Sequence, residues 1–139
     1  MNDAVVNKKE SIERCILQIR TYYAMPSELP FEKNFLQQDA ISANLIRACE
    51  LCIDLANIVV RKKKLGVPKE SRDSFRLLRK EKIIPPIIAD RLVAMVGFRN
   101  TLVHQYQDVD MKILIDIIEN HLDELVDFTN IVMNVTDVD

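Results

Sequence analysis

Residues 31–68 read FEKNFLQQDAISANLIRACELCIDLANIVVRKKKLGVP. Within them Phe35, Ile41, Leu45, Ala48, Cys49, Cys52, Leu55, Ala56 and Val59 recur at the three-and-four spacing of one helix face. The spacing predicts a single long helix from about Phe31 to Lys64. Gly66 just past its end and Pro68 beyond it are the residues that stop a helix.

The chain on either side follows the same period. Val5, Ile12, Cys15, Ile16, Ile19, Tyr22 and Tyr23 mark a first helix from Val5 to Tyr23, ended by Met25-Pro26, with Pro30 closing a short loop. Downstream, Ser71 or Asp73 is expected to cap a short third helix carrying Phe75, Leu77 and Leu78. Pro85-Pro86 suits the first turn of a fourth, with Ile87, Ile88, Leu92, Met95 and Val96 on its apolar side. Asp108 or Asp110 is expected to cap a fifth that continues through Ile113, Ile117, Leu122, Leu125, Phe128 and Met133. No segment alternates with period two for long, so no sheet is expected. Short loops between long helices favour an all-α antiparallel bundle of about five helices, one domain over residues 1–139.

Composition sets the outer bounds. With 139 residues, 48% of them apolar and 29% charged, the chain can bury a core, which excludes disordered, collagen-like and disulfide-scaffold classes. Two glycines, Gly66 and Gly97, cannot build a Rossmann fingerprint or a Walker loop. No apolar run approaches the roughly 18 residues of a membrane span, and the N-terminus lacks a secretion pattern. The expectation is a cytoplasmic protein without a membrane partner, whose three cysteines are reduced thiols.

The net charge of −2 conceals a polarised chain. Residues 1–60 carry 6 basic and 8 acidic side chains, residues 61–104 carry 12 and 4, and residues 105–139 carry 1 and 9. The middle segment is therefore +8 and the last −8. Arg61, Lys62, Lys63 and Lys64 answer the negative end of the long helix, but with Arg72, Arg76, Arg79 and Lys80 they exceed what that end requires. They read equally as a solvated face or as contacts to the phosphates of a polyanion, with the acidic last helix facing away.

Among chemistry-bearing residues, Cys49 and Cys52 have CxxC spacing inside a helix without a second ligand pair, so they read as core thiols, and no metal site is expected. His121, amid Glu119, Asn120, Asp123 and Glu124, reads as a solvated helix residue. The informative stretch runs from Gly97 to Tyr106. On an ideal helix Arg99 and His104 diverge by about 140°, while Asn100 shares a face with His104 and Arg99 with Tyr106. Polar groups thus enter what would otherwise be a core stripe, and burying them is expensive unless something pairs with them. Either this is an ordinary helix end, with His104 answering the dipole and Tyr106 packing its ring, or it is a site at a cleft or interface.

The string Arg99-Asn100-Thr101-Leu102-Val103-His104-Gln105-Tyr106 resembles the Arg-x4-His-x-Tyr motif of HepT toxins in the HEPN superfamily, small all-helical proteins of toxin–antitoxin pairs. The resemblance implies a metal-independent endoribonuclease that needs no cofactor. Arg99 and His104 would be its catalytic residues and Asn100 a supporting one, in a homodimer whose two motifs face one cleft. It further implies an MNT-type nucleotidyltransferase antitoxin and AMP attached to Tyr106. The chemistry suits these side chains: RNA supplies its own 2′-hydroxyl nucleophile, histidine can move a proton near neutral pH, and arginine can hold phosphorane oxygens. The alternative is a non-catalytic helical module that binds a partner, RNA or a nucleotide through the same surface.

Overall fold

The structure is a computed structural model, which describes residues 2–137. Met1, Val138 and Asp139, the ends of the expected domain, lie outside the described residues. Within them the chain is all-α: six α-helices and two short 3-10 turns, with no strand.

Helix α1 (Asp3–Ala24) begins where the Asn2 side chain accepts from the backbone N–H groups of Ala4 and Val5. It ends at Met25, whose extended backbone (ψ 133°) is what a following proline imposes. A 3-10 turn (Phe31–Lys33) then leads into α2 (Phe35–Lys62). The long helix predicted from Phe31 therefore starts four residues later, because the Asn34 side chain caps it by accepting from Gln37 N–H at 3.0 Å. Its end is made by Lys64 (φ 53°) ahead of Gly66, with Leu65 N–H returning to the Val60 carbonyl at 3.0 Å.

Helix α3 (Ser71–Lys80) has Glu70 at its cap rather than Ser71 or Asp73. Asp73 serves from inside the first turn, where its carboxylate accepts from the backbone N–H groups of Lys69 and Glu70. Those bonds, the one from Lys69 foremost, hold its carboxyl below the usual range. Helix α4 (Pro86–His104) opens on Pro86 as expected. A second 3-10 turn (Tyr106–Asp108) separates it from α5 (Met111–Asn120), which Asp110 caps.

The expected fifth helix is two helices, α5 and α6 (Leu122–Thr136), broken at His121. Asn120 and His121 are weak helix formers, and their side chains compete for local partners. The Asn120 amide donates to Asp116, and the His121 ring bridges Asp116 at 3.1 Å and Glu124 at 2.7 Å. That imidazole is only 15% exposed, so His121 is the fastening of the α5–α6 corner and not a solvated helix residue.

Helix α2 is the hub. It lies antiparallel to α1, with the Gln37 amide donating to the Tyr22 carbonyl at one end and Lys8 meeting Asp54 towards the other. It also packs against α3, α4 and α6. Ile41, Leu45, Ala48, Cys49, Cys52, Leu55, Ala56 and Val59 are all buried, which is the stripe expected from the spacing except for Phe35. Phe35 is 70% exposed, at the first residue of the helix and short of the core. No helix of the described residues is long and apolar enough to cross a membrane.

Candidate functional site

Helix α4 buries Ile88, Ala89, Leu92, Met95, Val96 and Leu102. Arg99 falls on the same side one turn after Met95, so its side chain is driven against α2 rather than into water. Its side chain is 25% exposed. There Nη2 donates to Glu50 Oε1 at 2.9 Å and Nη1 donates to Asn100 Oδ1 at 3.0 Å. Nε is buried without a hydrogen-bond partner. A guanidinium stripped of most of its water is thus answered by a half-exposed carboxylate and an amide, with about a quarter of the side chain still exposed.

His104 is the last residue of α4 and is exposed, so it differs from the buried group the polar stripe suggested. The reason is geometric: five residues after Arg99 it has turned about 140° away from the α2 contact. Gln105 ends the helix (ψ 50°), and Tyr106 therefore does not continue the face of Arg99 but opens the separate 3-10 turn. From that turn its hydroxyl donates to Asp39 Oδ1 at 2.8 Å, again on α2. Partial burial and then the Asp39 carboxylate raise the Tyr106 phenol above its ordinary value.

Glu50 and Asp39 are the two residues here that motif reading missed. They stand three turns apart on one face of α2, about 16 Å along its axis. One grips Arg99 and the other Tyr106, so the antiparallel run of α4 along α2 fixes both ends of the motif. Their spacing is in the sequence; their partners are not.

The basic segment lies elsewhere. Counting along α2, Lys62 is about 18 Å beyond Glu50 and about 35 Å beyond Asp39. Three of its arginines are taken: Arg72 by Glu70, Arg76 by Asp73 and Arg79 by Asp90. Lys62 donates to the Thr136 carbonyl, so the end of α6 adjoins it. The acids of α6 answer other elements, with Asp123 on Arg20 of α1 and Glu124 facing Arg91 of α4. The +8 stretch that ends at His104 in sequence is therefore spread along the molecule, with its densest part at the end away from Tyr106.

Cys49 and Cys52 are buried at 3% and 1% exposure, as core thiols. Burial pushes the Cys49 thiol up to about 12 even with Arg99 nearby, and Cys52 up as well, which leaves both protonated and inert.

Residues 12–132 match the family described as ribonuclease HepT-like. The chain is 40% identical over 132 residues to the mRNA nuclease HepT of Shewanella oneidensis, covering 95% of this chain and 98% of that one. It is 31% identical over 75 residues to the tRNA nuclease HepT of Aphanizomenon flos-aquae, covering 53% and 51%. Its structure superposes with a TM-score of 0.90 on a tri-AMPylated Shewanella oneidensis HEPN toxin in complex with MNT antitoxin, at 40% identity over 96% of this chain and 99% of that one. A motif arginine and tyrosine anchored on α2, an exposed histidine between them, and a match along nearly the whole fold lead to one statement: the chain belongs to the ribonuclease HepT-like family.

Proposed function

We propose that this protein is an endoribonuclease toxin, silenced when a nucleotidyltransferase antitoxin attaches AMP to it. The observation that carries the proposal is the 40% identity to the mRNA nuclease HepT across 95% of this chain and 98% of that one. The neighbouring toxin solved with its MNT antitoxin, tri-AMPylated, supports the second half. The setting is the cytoplasm, where a toxin meets RNA.

In this reading the RNA 2′-hydroxyl attacks the adjacent phosphorus, and the 5′-oxygen of the next nucleotide leaves. His104, exposed at the helix end, moves a proton to or from these oxygens. Arg99 offers its guanidinium to the phosphorane oxygens, a charge that needs no reorganisation as the reaction proceeds. Asn100 braces Arg99 through its amide oxygen. Because Arg99 and His104 point about 140° apart within one chain, we assign the active species to a homodimer whose twofold cleft gathers both sets. Tyr106 is the AMP acceptor, two residues from His104. Adenylate there adds bulk and negative charge where RNA phosphate must sit.

Cleavage of RNA that persists in excess EDTA tests the reaction class, and binding without turnover would favour a non-catalytic module. Glu50→Ala is expected to lower kcat about 10- to 100-fold, since it frees the Arg99 side chain to leave its bonded position. Glu50→Gln, which keeps an acceptor oxygen, is expected to recover most of that loss. Equal activity of the wild type and Glu50→Ala in single-turnover cleavage would remove Glu50 from the site. In the presence of the antitoxin and ATP, Tyr106→Phe is expected to gain no adenylate by intact-mass spectrometry and to stay active where the wild type is silenced.

A further inference from the structure

Tyr106 holds its hydroxyl in a tertiary contact while the residue stays partly open to an incoming reagent. It is 37% exposed, and its hydroxyl donates to Asp39 Oδ1 at 2.8 Å, a residue 67 positions away in the chain. The contact is built by two elements: the 3-10 turn that follows α4 presents the phenol, and the second turn of α2 presents the carboxylate.

A phenol is a weak nucleophile while it keeps its proton, and this one keeps it more firmly than usual. It needs a base within hydrogen-bond reach, and a carboxylate already receiving the bond has the required geometry. We propose that Asp39 accepts the phenolic proton when Tyr106 is adenylated, so that the toxin supplies the base for its own silencing. The proposal rests on Tyr106 being the acceptor. In the step, the Tyr106 oxygen bonds to the α-phosphorus of ATP, and the bond from that phosphorus to the bridging oxygen breaks. Pyrophosphate leaves with the electron pair, while the proton passes to Asp39 and then to water. Afterwards the ester oxygen has no proton to donate, and the new phosphodiester faces a carboxylate of like charge. The contact that held the tyrosine becomes one that expels it from α2.

The experiment follows adenylate incorporation by intact-mass spectrometry, using the full chain, its nucleotidyltransferase antitoxin and ATP. Asp39→Asn keeps an acceptor for the phenol but is a far weaker base. It is expected to react at least about 10-fold more slowly than the wild type at pH 7. The wild-type-to-variant ratio is expected to fall as pH rises from 6.5 to 8.5, by up to about tenfold per pH unit until it levels near one, as hydroxide takes over the role of the missing base. Equal rates at pH 7 would overturn the proposal. So would a slow variant whose ratio to the wild type does not change with pH, because that describes a misplaced tyrosine and not a missing base. Tyr106→Phe run in parallel separates the two claims: adenylate on it at the wild-type level overturns the acceptor assignment, and the proposal with it.

Discussion

Arg99→Ala and His104→Ala are each expected to lower kcat for RNA cleavage by about 10²- to 10⁴-fold. His104 is exposed at the end of α4, so its loss leaves the core untouched. Arg99 leaves behind Glu50, whose side chain is about half exposed and can be rehydrated. Both variants should therefore retain the wild-type circular dichroism spectrum, and the loss should fall on chemistry. If both groups act on one phosphorane, as proposed, the two effects should not add in the double variant. Mixing the two single variants tests the homodimer. If each site takes Arg99 from one protomer and His104 from the other, half of the randomly paired dimers carry one intact site. About a quarter of wild-type activity is then expected to return. A mixture that stays inactive would place both groups of each site within one protomer.

Phe128→Ala is expected to be the most damaging single truncation of the core, at about 3–5 kcal/mol. Phe128 is fully buried on α6, and its ring meets the edge of Phe75 on α3 at 5.5 Å and 69°. It therefore ties the last helix to the short helix that follows the basic run. Against the roughly 5–15 kcal/mol of a typical domain this is a large fraction, and a fall of about 10–20 °C in Tm should follow by thermal circular dichroism. Phe35→Ala serves as the control. Its side chain is 70% exposed, so the change should stay within about 0.5 kcal/mol. Comparable losses at the two positions would mean that Phe128 does not carry the packing assigned to it.

The α2 stripe from Ile41 to Val59 is legible in the order of residues alone, because helical burial is periodic and local. The prolines are equally legible: Pro26 ends α1 and Pro86 opens α4, since a fixed φ and a missing N–H act on immediate neighbours. The departures fall where side chains overrule that period. His121 breaks the last helix by bonding forward to Glu124 and back to Asp116. Asn34 delays α2 and Glu70 displaces Ser71 as a cap, because either of two adjacent polar residues can fill the position.

By itself the sequence determined the all-α class, most of the stripe each helix buries, and the Arg99–His104–Tyr106 motif, all of which depend on spacing along one chain; Phe35, Ile87 and Ile113, expected on those stripes, lie near helix starts and are exposed. Only the tertiary structure decided that Arg99 is held by Glu50 and Tyr106 by Asp39, that His104 faces solvent, and that the basic run is far from Tyr106. Those pairings depend on the register of α4 against α2. That register is set by how two buried faces interlock across many residues, and no short window of sequence contains it.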